Sequence, residues 1–195
     1  MFLEVELRRD VAMCTGHLSG LIPHQQIVRR LLQDLMSEKA CEEHGFYLAV
    51  TSLKNIGNPN LLEDDNGGGW SYRPVTFPVS FTCRTFLPRR GEVLKGVVQR
   101  VFRNGVFISC GPIRYAYLSA IKMPGYHYLD RDENLCFRKE DCSKIEVGVV
   151  VRFKVLAVRF NERQNKKRND FYVLATIEGK SFGPISLAGP DEPYM

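Results

Sequence analysis

The second half of the chain is a succession of short segments in which apolar and polar residues alternate. Alternation with a period of two is the pattern of a strand that buries one face. Turn signals separate the segments, among them Arg103-Asn104-Gly105 and Gly111-Pro112. The predicted strands are Glu92–Phe102, Val106–Cys110, Arg114–Ser119, Val147–Phe160 and Phe171–Ile177.

One long connection interrupts this succession, between the third and the fourth predicted strand. It runs from Ala120 to about Glu146 and is rich in turn residues, as in Asp130–Asn134. Five strands with a long third-to-fourth connection are the plan of an OB-type barrel, which is a five-stranded Greek-key barrel. About 100 residues suffice for one such core. We therefore predict an all-β barrel for this half of the chain.

The first half has a different pattern, which predicts a small α+β unit. Leu3–Arg8 alternates apolar and charged residues, as a half-buried strand does. After Pro23, apolar residues recur on one face of a helix, namely Ile27, Val28, Leu31, Leu32, Leu35 and Met36. Phe46–Ile56 and the alternating Val75–Cys83 predict two further strands. Pro78 cannot donate to a sheet, so it predicts an edge or a bulge.

Leu87–Gly91 is the predicted boundary between the two parts. We expect one domain over residues 1–88 and a second over residues 89–195. The first part holds 8 Lys and Arg against 10 Asp and Glu, a net charge of −2, and the second holds 19 against 12, a net charge of +7. A one-sided basic region is typical of a polyanion-binding protein, because Lys and Arg displace counterions from phosphates. The alternative is that basic loops keep the protein soluble.

Several functional classes find no support in the residues. No run of about 18 apolar residues occurs, so we expect no membrane span, and the start lacks a secretory signal, which favours an intracellular protein. The six cysteines show no C-x2-C spacing, so we expect no metal site. The four histidines are scattered and no partnered nucleophile is evident. We therefore expect neither catalysis nor a cofactor.

Aromatic residues of the second and third barrel strands form the candidate binding surface. If the aliphatic residues of these strands fill the barrel, then Phe107, Tyr115 and Tyr117 point outward. Aromatic side chains on adjacent strands form a platform on which bases stack, and each stack contributes about 1–3 kcal/mol. The alternative is packing under the long connection or against the first domain. We favour that alternative for Tyr115 and base stacking for Phe107 and Tyr117.

Basic residues surround these aromatic residues along the chain. They are Arg100, Arg103, Arg114, Arg152, Lys154, Arg159 and Arg163. An aromatic platform with basic surroundings is the design of a surface that binds single strands. The basic loop Asn161–Asp170 also contains Lys166, Lys167 and Arg168. A solvated hairpin tip is the default interpretation of such a run, and phosphate contact is a secondary hypothesis.

Residues 91–119, GEVLKGVVQRVFRNGVFISCGPIRYAYLS, resemble the opening of an S1 RNA-binding domain, which is an OB fold. The resemblance implies that Phe107 and Tyr117 occupy RNA-contacting aromatic positions. A family position that is often aromatic is Asn104 here, and one that is commonly acidic is Arg159, whereas Arg163 matches a basic position. These departures imply looser binding that depends more on charge.

The resemblance extends to the first half, through MFLEVEL, GFYLAVTSLKNIG and VTFPVSFTCRTFLPRRGEVLKGVV. Together these segments resemble the seventh subunit of eukaryotic RNA polymerases, a family that includes an archaeal stalk counterpart. The resemblance spans nearly the whole chain and implies a truncated RNP-like tip domain followed by an S1-type OB domain. Ile121–Tyr126 and Gly179–Ile185 are most similar to the plant form of RNA polymerases IV and V.

The resemblance to this family also implies a role. The chain is then a non-catalytic stalk subunit in the nucleus, paired with subunit 4 and seated on the large core subunits through its tip domain. Its OB face receives nascent single-stranded RNA, and in the plant enzymes this serves RNA-directed DNA methylation and the siRNA pathway. Two alternatives stay open: the seventh subunit of RNA polymerase II, and a free-standing S1-type RNA-binding module.

Overall fold

The computed structural model describes residues 1–14, 23–61, 74–131, 134–162 and 169–185. The chain divides into two compact units. One consists of Phe2–Leu87 with the segment Glu162–Asn169, and the other consists of Pro88–Asn161 and the residues from Asp170 onward, together with Met1. The protein is mostly β, with one α-helix among the described residues. None of the helical segments in these ranges has the length and apolar character of a membrane span.

The first unit is an antiparallel sheet with one helix. In chain order its elements are β1 (Phe2–Cys14), α1 (Pro23–Glu38), β2 (Ala40–Cys41), β3 (Gly45–Ile56), β4 (Asn60–Leu61) and β5 (Pro74–Phe86). The strands lie in the order β1-β5-β3-β2, and β4 also pairs with β5. β1 is longer than the predicted Leu3–Arg8, because β5 offers it a partner at every position from Phe86 to Pro74.

The helix packs on one face of this sheet through residues spaced four apart. The buried helix residues are Ile27, Leu31 and Leu35, and they pack in one cluster with buried side chains of β1 and β5. The predicted apolar face is wider than the face that the helix buries. Leu32 is 41% exposed and Met36 is 70% exposed. The helix therefore presents an apolar side that the described part of its own unit leaves uncovered.

Pro78 lies in β5, which is not an edge strand, but on the side away from β1 it occupies a local edge as predicted, because the pairing with β3 ends at Val79 and the pairing with β4 reaches only to Thr76. β5 lies between β1 and β3, and its register with β1 passes through Pro78 without a shift. The Pro78 carbonyl accepts a hydrogen bond from the Gly57 N–H at 2.8 Å, just after β3 ends at Ile56. In an antiparallel sheet, the backbone N–H and C=O of one residue point toward the same neighbouring strand. The Pro78 carbonyl points toward the end of β3, so the N–H that proline lacks would also point there. Proline at this position therefore removes no hydrogen bond to β1.

The second unit is built on a closed sheet. Its strands are β6 (Val93–Phe102), β7 (Gly105–Cys110), β8 (Ile113–Ser119), β9 (Tyr126–Arg131), β10 (Asn134–Lys139), β11 (Lys144–Ile145), β12 (Val150–Asn161), β13 (Asp170–Thr176) and β14 (Gly183–Pro184). Five of them follow the order β13-β8-β7-β6-β12, and β12 pairs again with β13, which closes the sheet. β8 and β13 are parallel, whereas the other pairs of the ring are antiparallel.

The predicted long connection contains regular structure, which is a correction to the sequence analysis. A 3-10 turn over Ala120–Lys122 leads into a separate antiparallel sheet of β9, β10 and β11, in the order β11-β10-β9. Phe137 and Ile145 are buried and lie opposite each other in this sheet. The composition of the segment hides these strands, because each is short and polar turn residues separate them.

Two rows of buried residues cross the closed sheet and form its core. Across β6, β7, β8 and β13 they are Val98, Ile108, Ala116 and Val173 in one row, and Val101, Val106, Leu118 and Ala175 in the other. All of them are at most 5% exposed. The predicted inward placement of the aliphatic residues on β7 and β8 is therefore confirmed. Because successive side chains alternate between the faces of a strand, the residues between these rows point outward.

Candidate nucleic-acid interface

One outward row lies between the two buried rows. Arg100, Phe107, Tyr117 and Leu174 are successive cross-strand partners on β6, β7, β8 and β13. Side chains that are directly opposite on one face of a sheet lie within contact distance of each other. The row is therefore one continuous strip across four strands, with a cationic end, an aromatic centre and an aliphatic end.

Phe107 is the centre of an aromatic cluster on this strip. Its ring centroid lies 5.3 Å from that of Tyr117, 5.7 Å from that of Tyr115 and 5.8 Å from that of Phe102. Phe102 and Tyr115 stand nearly edge-on to it, at interplanar angles of 87° and 75°. Aromatic quadrupoles favour such edge-to-face contacts. The three neighbours thus hold the Phe107 ring in place on an outer surface.

Tyr115 lies on the surface. It is 46% exposed, so the favoured expectation that it packs away from solvent is wrong. The β7–β8 register shifts between the pairs Ile108–Ala116 and Cys110–Ile113, and both residues at the shift, Arg114 and Tyr115, are exposed. Whether it contacts RNA stays a prediction.

The turn between β6 and β7 fixes the orientation of Tyr117. The Tyr117 hydroxyl donates a hydrogen bond to the Asn104 carbonyl at 2.7 Å. Gly105 follows with a φ of +150°, and a Cβ there would lie 2.4 Å from the Leu118 carbonyl oxygen and 3.0 Å from the Tyr117 ring. Only a glycine allows β8 and this ring to approach the turn so closely.

A β-bulge on β6 directs Arg100 toward the aromatic cluster. Val98 pairs with Ile108 of β7, Gln99 has no partner, and Arg100 pairs with Phe107. A bulge leaves one residue unpaired and redirects the neighbouring side chains. Gln99 and Arg100 are consequently both exposed. The Gln99 amide donates a hydrogen bond to the Ser109 hydroxyl at 2.8 Å, which holds it on the outer face.

The cluster borders a groove of about 550 Å³. Its lining residues are Arg100, Phe107, Tyr115, Tyr117, Tyr172, Val173 and Leu174. Tyr172 and Leu174 are 49% and 46% exposed. Sequence reasoning missed these two residues, and it also missed Phe102. The signal was present in β13, where the inward residues Phe171, Val173 and Ala175 leave positions 172 and 174 to point outward.

Five of the predicted arginines are exposed and form no ion pair with another described residue. They are Arg100, Arg103, Arg114, Arg152 and Arg159. Arg159 lies opposite Tyr172 in the β12–β13 register, which places it next to the groove. Lys154 lies opposite Thr176 and does not line the groove. The contacts of all these side chains with RNA stay predictions.

Four other predicted residues, Arg163, Lys166, Lys167 and Arg168, lie outside the described residues.

The chemistry of the described residues is that of binding. No group of three or more His, Cys, Asp and Glu side chains among them is arranged to hold a metal ion. Burial raises the pKa of the Cys83 and Cys110 thiols. At neutral pH they therefore stay protonated, and a protonated thiol is a poor nucleophile. What the outer face offers is ring surface for stacking and unpaired positive charge.

A closed β sheet with an aromatic and basic outer face is the architecture of a binding protein. Over the whole of both chains, the sequence is 63% identical to a DNA-directed RNA polymerase subunit 7-like protein of Arabidopsis thaliana. It is 38% identical to subunit 7 of RNA polymerase V of that plant, over 95% of this chain and 99% of that protein. For subunit 7 of RNA polymerase IV the identity is 36%, over 95% of this chain and 100% of that protein.

The chain belongs to the subunit 7 family of DNA-directed RNA polymerases, as these identities over nearly the full length show. It is a non-catalytic subunit, which confirms the sequence-based prediction of the family and of the absence of an active site of its own. No protein-family model matches the chain.

Proposed function

We propose that the outer face of the second unit binds single-stranded RNA, and that this unit is an S1-type OB domain. The observation that carries the proposal is the outward row of Arg100, Phe107 and Tyr117, flanked by Tyr115 and Tyr172. The strand order supports the OB topology, since the ring of five strands closes between β12 and β13 and its single parallel pair is β8 with β13.

Base stacking on this face is favourable because its rings are already ordered. Each base–aromatic stack contributes about 1–3 kcal/mol. The three aromatic neighbours of Phe107 restrict its motion before RNA arrives, so little side-chain freedom is lost on binding. The exposed Arg100 and Arg159 add an attraction to phosphates that does not depend on sequence. Platform and charge together favour an unpaired strand over a duplex, whose bases are already stacked.

The experiment that tests RNA binding is the double replacement of Phe107→Ala and Tyr117→Ala in the whole chain. Affinity for a labelled oligouridine, measured by fluorescence anisotropy, should fall about tenfold or more, because two stacking rings are lost. The matched control, Phe107→Tyr alone, keeps both rings and the hydrogen bond of the Tyr117 hydroxyl to the Asn104 carbonyl, and it should bind as the native chain does. Circular dichroism establishes that both variants fold. Unchanged affinity in the folded alanine variant would contradict the proposal.

We further propose that the chain is the stalk subunit of a nuclear RNA polymerase. In this arrangement it pairs with subunit 4, an RNP-like tip domain over residues 1–88 docks on the large core subunits, and residues 89–195 meet nascent RNA. Membership of the subunit 7 family supports this role. An exposed apolar groove of about 260 Å³ on the first unit supports docking, since Leu32, Met36 and Leu48 line it and exposed apolar groups favour a protein partner.

RNA polymerases IV and V are the enzymes that we favour. The identities of 38% and 36% to their seventh subunits support either enzyme and favour neither. As a subunit of both polymerases, the chain would take part in RNA-directed DNA methylation and in the siRNA pathway. RNA polymerase II is the alternative enzyme.

The polymerase role is tested by purifying the tagged chain from plant nuclei. Recovery with subunit 4 and with the large subunits of polymerase IV or V is expected. Met36→Glu with Leu48→Glu should reduce recovery, because it buries charge in an apolar contact. Lys54→Glu, on an exposed part of β3 outside the groove, is the control. Recovery with RNA polymerase II would assign the chain to that enzyme, and recovery without any large subunit would favour a free-standing S1-type module.

A further inference from the structure

A second groove adjoins the aromatic cluster. It has a volume of about 700 Å³, and its lining residues are Gln99, Arg100, Val101, Phe102, Leu135, Glu146 and Val147. Arg100 lines both grooves. Phe102 joins them, because it lines the second groove and its ring contacts Phe107 in the first. The two grooves are therefore parts of one surface within the second unit.

The second groove combines apolar surface with two hydrogen-bonding side chains. Phe102 is 45%, Leu135 37% and Val147 63% exposed, so their apolar atoms face the open space. Glu146 and Gln99 are the polar residues, and both are exposed. Glu146 forms no ion pair with another described residue. Apolar surface with a few hydrogen-bonding groups is the composition of a small-ligand site, and a nucleobase has the matching faces and edges.

Backbone hydrogen bonds hold Glu146 and Val147 against β6. The Val98 N–H donates to the Val149 carbonyl and the Gly148 N–H donates to the Val98 carbonyl, both at 2.9 Å. The Val149 N–H donates to the Glu146 carbonyl at 3.1 Å, which closes the turn. Val98 immediately precedes the bulge that exposes Gln99. The two sides of the groove are thus fixed to each other by main-chain contacts, so the site is formed before a ligand binds.

We propose that this groove holds one RNA nucleobase and that Glu146 selects a base with an exocyclic amino group. The inference rests on the RNA-binding function proposed above and names its base preference. An ionised carboxylate only accepts hydrogen bonds. Cytosine, adenine and guanine each offer an exocyclic amino donor, whereas uracil has a carbonyl oxygen in its place. The N3–H of uracil is a donor too, but it lies between two carbonyl oxygens that repel an approaching carboxylate. A carboxylate repels phosphates, so Glu146 fits the edge of a base and not a phosphate group, while Phe102 stacks on the face of that base.

The test compares oligocytidine with oligouridine of the same length, by fluorescence anisotropy with the whole chain. The native chain should bind oligocytidine about fivefold more tightly or better, the range expected for a good polar contact to a base edge. Glu146→Ala should abolish this difference. Glu140→Ala is the matched control, because Glu140 is an exposed glutamate of the second unit that does not line the groove. Phe102→Ala should weaken binding of both oligonucleotides.

Three results would overturn the inference. Equal affinity of the native chain for the two oligonucleotides rejects base selection, as does a preference that persists in Glu146→Ala. An unchanged affinity in Phe102→Ala rejects the groove as part of the RNA path. If oligouridine binding still depends on Phe107 and Tyr117 in these cases, the proposed RNA-binding face stands without the second groove. If the native chain binds neither oligonucleotide, both proposals fail.

Discussion

Arg100 and Phe107 are cross-strand partners next to a β-bulge, and both side chains line one groove on the outside of a closed sheet. The arginine is exposed and forms no ion pair with another described residue. A cation that no carboxylate neutralises is available to a phosphate. The pairing thus places a positive charge beside a stacking surface, which are the two kinds of contact on which the proposed RNA binding depends.

The salt dependence of RNA binding should reveal how many arginines contact phosphates. For single strands, the logarithm of the affinity falls with the logarithm of salt concentration by about 0.7 for each neutralised phosphate. Arg100→Ala with Arg159→Ala should therefore reduce the slope by up to about 1.4. The same salt titration, applied to Arg103→Ala and to Arg114→Ala, tests whether either of these arginines also contacts a phosphate. Arg30→Ala, on the helix of the first unit, is the control, and a native slope in the double variant would remove both arginines from the interface.

The basic loop gives a second and independent salt experiment. Replacing Lys166, Lys167 and Arg168 with Ala should flatten the slope by up to about 2.1 if all three contact phosphates. Anisotropy titrations between low and moderate salt provide the measurement. The same slope as in the native chain would remove these three residues from the RNA interface.

Tyr172 should contribute to RNA binding although sequence reasoning missed it. It is 49% exposed, lines the groove with Tyr117 and lies opposite Arg159. Tyr172→Ala should weaken binding by about 1–3 kcal/mol, the contribution of one base stack. Tyr172→Phe retains the ring and should bind normally in the same anisotropy assay. If the alanine variant also binds normally, the RNA path does not pass over β13.

Gly105 should be essential for the stability of the closed sheet. An added Cβ would lie 2.4 Å from a backbone oxygen of Leu118, which cannot move without displacing β8. Gly105→Ala should lower the free energy of unfolding by about 2–4 kcal/mol. At Gly111 a Cβ meets nothing within 4 Å and only its φ of +53° is unfavourable. Gly111→Ala should therefore cost about 1 kcal/mol, and equal losses in urea titrations would refute the steric explanation.

Tyr47 should make the first unit less stable at alkaline pH. Burial raises the pKa of Tyr47 above its ordinary value, and the Arg9 guanidinium donates hydrogen bonds to the Tyr47 hydroxyl and to Glu38. As the pH rises past about 10, the unfolded chain loses this proton before the folded chain does. The free energy of unfolding should then fall, by up to about 1.4 kcal/mol per pH unit.

Tyr47→Phe removes the titrating group and should remove this part of the pH dependence. Urea titrations between pH 8 and about pH 11 provide the measurement. Tyr115→Phe, at an exposed position, is the control. If Tyr47→Phe and the native chain lose stability in parallel, Tyr47 is not the group responsible.

Local patterns were sufficient for some predictions and insufficient for others. Alternation in β7 and β8 correctly separates buried Ile108 and Leu118 from outward Phe107, because successive side chains of a strand point to opposite faces. The apolar stripe of α1 overestimates the buried face, since Leu32 and Met36 extend past the sheet that covers Leu35. The strands β9 to β11 escaped prediction because a short alternation is difficult to distinguish from a series of turns.

The sequence by itself determined the family, the predominance of strands and the direction in which Phe107 and Tyr117 point. The strands and the direction of the two side chains follow from residues that are close together in the chain. The family follows from the order of the residues along the whole chain. Only the tertiary structure decided which side chains meet. Arg100 and Leu174 belong to one strip because a bulge and the closed pairing of β6, β7, β8 and β13 bring them there. Strand register and sheet closure bring together residues that are distant in sequence. The sequence does not reveal the register, because apolar and polar residues alternate in the same way whichever residues of the neighbouring strand they pair with.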